Sequence, residues 1–188
     1  MRDPKAVLKF WFEELTPQDW YTGGDALDNE IRTLFQQDWE DVSRRENSKW
    51  ICRAKERLAY LLLLDQFPRN MFRGTAKAFS TDRKAVTFAK SAIARKQDIQ
   101  IKGDARQFMY MPLMHSESLQ DQELSVRLFL AWEPKGRNLP HALAHRDIIR
   151  EFGRFPARNE ALGRTSSAKE IAYLESGGYR KTVEKFPH

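Results

Sequence analysis

The sequence predicts an all-α protein of eight or nine helices joined by short connections. Along most of the 188 residues, apolar side chains recur at intervals of three and four, the spacing of helices that bury one face. Strand signals are nearly absent, because valine occurs five times and no segment alternates apolar and polar residues between hairpin turns. Capping residues and prolines divide the chain into separate helices.

The first two helices each begin at an aspartate. Asp3 precedes Pro4, and proline is favoured at the first position of a helix. Asp25 caps the second helix, whose buried stripe is the clearest in the chain and consists of Leu27, Ile31, Leu34, Phe35, Trp39 and Val42.

The third helix is expected to start at Asn47 or Ser48. It should end near Gln66, because the residue before Pro68 is disfavoured in helical geometry. Helical spacing in this segment also predicts that the single cysteine is a buried apolar residue. A fourth helix opens at residues 80–81.

Capping-box spacing indicates the start of the next helix. Asp104 and Gln107 have this spacing, and Pro112 should kink or stop the helix that they begin. Further helices are predicted over residues 119–132 and 140–153, the second closed by a glycine.

A last capping box, Ser167 with Glu170, precedes the segment IAYLESGG. A chain of this length can form one domain with a proper core, so a single helical domain is predicted over residues 1–188.

One sequence element occurs twice. LLLLDQFPRNMFRG, residues 61–74, returns in altered form as EFGRFPARNEALGR, residues 151–164. In both, an apolar helix is followed by Phe-Pro, by Arg-Asn and by a further arginine beside a glycine. This recurrence favours a stack of antiparallel helical hairpins over a closed bundle, although chance recurrence is an open alternative.

Composition argues against several classes of protein. The longest apolar run, residues 58–64, has seven residues, whereas a membrane-spanning helix needs about 20. The N-terminal segment lacks the pattern of a secretory signal, so a cytoplasmic protein is expected. The 32 basic and 26 acidic residues leave a net charge of +6 without a run of five like charges, so the charge pattern does not predict a nucleic-acid partner.

Several arginines follow helix ends in turns, namely Arg69, Arg73, Arg158 and Arg164. A guanidinium offers a planar fork of donors that suits carboxylate or phosphate oxygens. If the two repeated elements face one another, these arginines could converge with Asn70 and Asn159 on one anion. In the alternative, each arginine pairs with a local acid such as Asp65 or Glu160, or with a helix-end carbonyl, and braces the corner.

The histidines allow more than one interpretation. His115 lies beside acids and could be a general acid or base, or a hydrogen-bonded core residue. His141 and His145 have a metal-ligand spacing, but the segment HALAH lacks the glutamate of zinc proteases and has no third ligand nearby. No metal and no cofactor is therefore predicted. The sequence also lacks phosphate-binding glycine loops and a hydrolase nucleophile elbow.

Three blocks of sequence carry a family resemblance over nearly the whole chain. LLDQFPRNMFRGTAKAFSTD, MPLMHSESLQDQE and HRDIIREFGRFPARNEALGRTSSAKEIAYL resemble the bacterial domain-of-unknown-function family 924. The resemblance implies a tetratricopeptide-like helical superhelix and no established activity. The motif residues that it implies are Asp65, Gln66, Arg69, Asn70, Arg73, His115, Ser116, Glu117, Gln122, His145, Arg146, Asp147, Arg154, Arg158, Asn159 and Arg164.

The favoured function is a binding module whose polar groove takes an anionic small molecule or an acidic peptide. The residues predicted to bind this ligand are Arg69, Asn70, Arg73, His115, Gln122, His145, Arg154, Arg158, Asn159 and Arg164. The alternative is a hydrolase, with Asp65, Glu117 or His115 as the acid-base group and arginines that stabilise negative charge. A third possibility is that the motifs are internal bracing and that a partner binds elsewhere, such as the basic face of RRENSKWICRAKER. The oligomeric state is not predicted.

Overall fold

The computed structural model describes residues 2–44 and 50–186. The prediction of an all-α protein is confirmed, because these residues contain ten continuous helices, one of which is labelled below in two parts, and no strand. Eight of the helices have at least seven residues. In the part of the chain that the structure describes, no helix is long and apolar enough to cross a membrane.

The chain divides into two compact units, Met1–Pro112 (unit 1) and Leu113–His188 (unit 2). A single domain over residues 1–188 and a tetratricopeptide-like stack stay predictions. Unit 1 contains α1 (Pro4–Lys9), α2 (Asp19–Thr22), α3 (Asp25–Arg44), α4 (Ala54–Leu61), α5 (Phe67–Met71) and α6 (Asp82–Ala94). α7 (Gln107–Met114) contains the boundary between the units. Unit 2 contains α8 (Leu119–Trp132), α9 (Asn138–Phe152), α10 (Ala168–Glu175) and α11 (Gly178–Val183).

The core of unit 1 forms where the predicted stripe of α3 packs against α5. Ile31, Phe35 and Val42 are almost completely buried, and the ring of Phe35 lies 4.8 Å from that of Phe67. Burial of each such side chain contributes roughly 1.5–3 kcal/mol. The stripe therefore places α3 against the first Phe-Pro element.

The prediction that the third helix ends near Gln66 is wrong. α4 continues through a π-helical turn, Leu62–Gln66, directly into α5, so α4 and α5 are two parts of one helix. Pro68 lies inside this continuous helix and has no amide hydrogen to donate. The Leu64 carbonyl, four residues before it, accepts a hydrogen bond from the Thr81 hydroxyl at 2.6 Å instead. The predicted start of this helix, Asn47 or Ser48, lies outside the described residues.

Two further expectations differ from the structure. Asp104 and Gln107 do not form a capping box, because a 3-10 turn, Gly103–Arg106, precedes α7 and the Gln107 amide donates to the Asp104 carbonyl. Cys52 is exposed rather than buried. It precedes α4, so the helical spacing that predicted its burial does not apply there.

Unit 2 is built on the helical hairpin of α8 and α9. The two helices are antiparallel, since Glu123 near the start of α8 pairs with Arg150 near the end of α9. α8 has the predicted bounds, and Gly153, with φ 69°, ends α9 as expected. Ile148, Ile149 and Phe155 form a buried cluster, against which Phe152 and Tyr173 pack. Tyr173 belongs to α10, so this cluster seats α10 beside α9.

Candidate functional site

The first Phe-Pro-Arg-Asn element forms a corner at the end of the α4–α5 helix. Arg69 donates two hydrogen bonds to the carboxylate of Asp82, at 2.9 and 3.0 Å, and one to the backbone oxygen of Asp65, at 2.8 Å. The Asp65 side chain lies 3.5 Å from Arg69, accepts a hydrogen bond from Gln66 and is buried. We call this group the first corner: Asp28, Asp65, Arg69, Asn70, Arg73 and Asp82.

The other two motif residues of the first corner bind one buried acid on α3. Asn70 donates to Asp28 at 2.9 Å, and Arg73 donates to both Asp28 oxygens at 2.7 and 2.9 Å. Burial alone would raise the pKa of Asp28, but the hydrogen bonds from Arg73 and Asn70 outweigh it and hold this pKa below its ordinary value. Asp28 is therefore an ionised anchor that ties α3 to the corner.

The second element builds a corresponding corner in unit 2. Arg154 donates to both oxygens of Glu170 on α10, at 2.7 and 2.8 Å, and Asn159 donates to the same carboxylate at 3.3 Å. The predicted capping box of Ser167 and Glu170 is confirmed. The bonds from Arg154, and then from the Ser167 amide, hold the pKa of Glu170 well below its usual range. We call this group the second corner: Glu117, Arg154, Arg158, Asn159, Arg164 and Glu170.

Glu117 is the other acid of the second corner. Arg164 grips it with two hydrogen bonds of 2.9 and 2.8 Å, and the Phe155 amide donates to it at 2.9 Å. Burial would raise the pKa of Glu117, but the bonds from Arg164 and Phe155 prevail and lower it. Glu117 is thus held as a charged acceptor, a poor state for a general acid.

Arg158 and Gln122 fasten the turn between α7 and α8. Arg158 donates to the backbone oxygen of His115 at 2.9 Å, and its guanidinium lies 4.5 Å from the centre of the Phe155 ring. Gln122 is fully buried and donates to the backbone oxygens of Met114 and Ser116, both at 2.7 Å. These contacts are those that the bracing alternative predicts.

His145 is half-buried among aromatic rings on α9. Its ring lies 4.8 Å from that of Tyr179, 5.4 Å from that of Phe155 and 6.1 Å from that of His115. Nδ1 bonds the His141 carbonyl at 2.8 Å, and a carbonyl only accepts, so Nδ1 carries the proton. Burial, and then the neighbouring His115, lowers the pKa of His145 to about 3. The ring is therefore neutral at pH 7.

His141 and His145, which have a metal-ligand spacing in the sequence, form hydrogen bonds to other partners in the structure. His141 Nδ1 lies 2.6 Å from the Tyr179 hydroxyl, and His145 Nδ1 binds the backbone. Among residues 2–44 and 50–186, no three or more His, Cys, Asp or Glu side chains are grouped to hold a metal ion.

A cleft of about 340 Å³ opens beside the second corner, and we call it the lysine cleft. One face of α10, continued by the residue that caps its C-terminus, lines the cleft: Lys169, Ala172, Tyr173 and the cap Ser176. The opposite side comes from Gly178, Lys181, Thr182 and Lys185, with Glu151 of α9 beside them. The Tyr173 hydroxyl lies 3.0 Å from that of Thr182 and joins the two sides. Gly177, with φ 111°, provides the tight connection from α10 to α11.

The charges of the lysine cleft are unevenly paired. Lys169 pairs with Glu151 at 3.2 Å. Lys181 and Lys185 have no ion-pair partner among the residues that the structure describes. A second cleft of about 320 Å³ adjoins the first and shares Glu151, Thr182 and Lys185 with it. It is completed by Asp147, Ile148 and Arg150.

The structure brings together part of the predicted site. His115, His145 and the second-corner residues Glu117, Arg154, Arg158, Asn159 and Arg164 are linked in unit 2 by the contacts above, whereas Asp65, Arg69, Asn70 and Arg73 lie in unit 1. None of the ten predicted ligand-binding residues lines either cleft. Whether these residues bind a ligand, and whether Asp65, Glu117 or His115 acts in hydrolysis, stays a prediction.

Sequence reasoning missed Asp28 and Asp82 of the first corner, and it missed the lysine cleft. Asp28 had a readable signal, since it lies three residues before Ile31 on the buried stripe of α3, and a buried acid needs a cationic partner. The lysine cleft had no readable signal in the sequence, because α11 was not predicted. Glu160, offered as a local partner for an arginine, is exposed.

Comparisons with known proteins agree with this fold. The model of a family described as a bacterial protein of unknown function, DUF924, matches residues 7–178. A solved structure of a protein of unknown function from Agrobacterium tumefaciens is similar, with 40% sequence identity and a TM-score of 0.87. The similarity covers 93% of this chain and 97% of that one. No curated protein matches. The chain therefore belongs to the DUF924 family of bacterial proteins.

Proposed function

We propose that this chain is a binding module and that its ligand is an anion held in the lysine cleft. One observation carries the proposal: Lys181 and Lys185 line a concave surface, and no described acidic residue neutralises either of them. A carboxylate or phosphate group of a ligand would supply the missing counter-charge.

The charge and size of the cleft support an anionic ligand. Three lysines line it against one glutamate, which leaves an excess of two positive charges. Its volume of about 340 Å³ lies at the lower end of the range for small-molecule sites, roughly 300–1,000 Å³. The hydroxyl groups that line the cleft are already hydrogen-bonded within the protein, because Tyr173 bonds Thr182, Thr182 donates to the Gly178 carbonyl and Ser176 donates to the Tyr173 carbonyl. The lysines are therefore the groups that contact the anion in this proposal.

In this proposal the second corner acts by positioning. Arg154 and Asn159 hold Glu170 on one face of α10, and the adjacent face of the same helix carries Lys169 and Tyr173 to the cleft. Arg154 and Asn159 thus keep α10 in place, and the lysines bind the anion.

Other functional predictions have less support. The hydrolase alternative gains nothing from a buried Asp65 paired with Arg69, or from a Glu117 held ionised by Arg164. A groove lined by the predicted arginine, asparagine and histidine side chains stays a prediction, as do a cytoplasmic location and a tetratricopeptide-like stack.

Isothermal titration calorimetry at low ionic strength tests the proposal. The probes are inorganic phosphate and a short glutamate-containing peptide, added to the wild type and to the double variant Lys181→Gln/Lys185→Gln. Saturable binding of at least one probe should weaken by about tenfold in the double variant, because two exposed ion pairs are lost.

The matched control is Lys5→Gln/Lys55→Gln, which removes the same charge from exposed positions in unit 1. It should bind as the wild type does. Equal binding by the wild type and the Lys181/Lys185 variant, or no saturable binding of either probe, would contradict the proposal.

A further inference from the structure

The two clefts of unit 2 adjoin one another, and we call them together the groove. They share Glu151, Thr182 and Lys185, so a ligand that fills the first cleft can extend into the second. The side of the groove from Lys169 on α10 to Ser176, the C-cap of this helix, extends about 10 Å, from a rise of about 1.5 Å per residue. An extended chain of about three residues covers this distance, at about 3.3 Å per residue.

The unpaired lysines have a spacing that suits an extended peptide. Lys181 and Lys185 are four residues apart on the same side of α11 and the turn after it, which separates them by about 6 Å along the helix. In an extended chain, alternate side chains point to the same side and lie about 6.6 Å apart. Two acidic side chains with one residue between them therefore match the spacing of the two lysine backbone positions, whereas adjacent acidic residues point to opposite sides.

The other charges of the groove argue against a nucleic-acid backbone. Asp147 and Glu151 line it and already pair with Arg150 and Lys169, so Lys181 and Lys185 are the cations left to contact phosphates, and two cations are few for a row of phosphates. A peptide tolerates both signs, because its own side chains can be neutral or basic opposite these acids.

We propose that the ligand of this groove is an extended acidic peptide with acidic residues at alternate positions, which contact Lys181 and Lys185. This inference rests on the proposed function and names the chemistry of the ligand. A compact anion would engage the lysines without using the length of the groove.

Two peptides of equal charge test the spacing. One is the blocked pentapeptide Ala-Glu-Ala-Glu-Ala, and the other is Ala-Glu-Glu-Ala-Ala. The alternating peptide should bind the wild type about threefold more tightly, because the adjacent acids can form only one of the two exposed ion pairs. In Lys181→Gln the difference between the peptides should vanish, whereas Lys5→Gln should retain it.

Inorganic phosphate and a trinucleotide serve as competing probes in the same titrations. Equal binding of the two peptides to the wild type overturns the inference, and so does tighter binding of phosphate or the trinucleotide at the same lysines. In these cases the proposed function stands, provided that binding still depends on Lys181 and Lys185. If no probe distinguishes the wild type from Lys181→Gln/Lys185→Gln, both the inference and the proposed function fail.

Discussion

Acidification from pH 7 to pH 5 should destabilise the protein through His145. In the folded state burial lowers the pKa of this ring to about 3, whereas an unfolded histidine has a pKa of about 6.5. The unfolded state therefore takes up a proton that the folded state excludes. The stabilisation is fully present above pH 6.5 and is lost as the pH falls from there towards 3.

The size of the effect follows from these two pKa values. Between pH 7 and pH 5 the free energy of unfolding should fall by about 2 kcal/mol through this one group. The acids of both corners contribute little in this window, because unfolded carboxyl groups, with pKa values near 4, are still mostly ionised at pH 5. The loss of stability between pH 7 and pH 5 therefore reports on His145 rather than on Asp28, Glu117 or Glu170.

Urea unfolding of the wild type and of His145→Asn at both pH values measures the effect. Asparagine retains an N–H donor near the position of Nδ1 but does not titrate. The variant should be less stable than the wild type at pH 7, and its stability should fall by about 2 kcal/mol less on acidification. Parallel losses in the two proteins, or an NMR titration that places the His145 pKa near 6.5, would refute the reasoning.

Three other substitutions test the corners and the backbone by chemical denaturation. Arg69→Ala should lower the free energy of unfolding by about 3 kcal/mol, because Asp65 and Asp82 lose their shared partner, whereas the exposed Arg83→Ala should change it by less than about 0.5 kcal/mol. Equal effects of the two would show that Arg69 does not brace the corner. Glu117→Gln should cost about 1–3 kcal/mol, since Arg164 and the Phe155 amide lose a charged acceptor; an unchanged midpoint of unfolding would count against this. Lys96→Gly should raise stability by about 0.5–1 kcal/mol, because Lys96 has φ 55° after α6, and a loss of stability would contradict that explanation.

Local signals in the sequence predicted much of the fold. The bounds of α8, the Asp3 cap, the Ser167–Glu170 capping box and the glycine that ends α9 depend on residues close together in the chain. The continuation of α4 into α5 could not be predicted in this way. The π-helical turn before Pro68 accommodates the proline within one helix, and propensity rules treat that proline as a stop.

The partners of the motif arginines depend on tertiary structure. Asp65 lies near Arg69, as the sequence suggested, but Asp82 accepts the closer side-chain hydrogen bonds from this arginine. Arg73 bonds Asp28, which lies 45 residues away in the chain. Residue types showed that each guanidinium needs an acceptor. Only the positions of α3, which carries Asp28, and of α6, which carries Asp82, decide which acid supplies it.

The lysine cleft was beyond sequence reasoning for a related reason. Its faces come from α9, α10 and α11, and α11 begins at the second of two glycines that suggested the end of the last helix. A lysine in such a segment is indistinguishable from any solvated lysine until the helices are placed.

NMR chemical-shift mapping with the alternating acidic peptide tests the central claim most directly. In a ¹⁵N-labelled sample, the amide shifts that saturate with peptide should cluster at Lys169–Ser176, at Gly178–Lys185 and near Glu151. They should be absent from spectra of Lys181→Gln/Lys185→Gln. Saturating shifts centred on His115, Arg158 and Arg164, or on Arg69 and Arg73, would contradict the account and place the ligand at the motif residues.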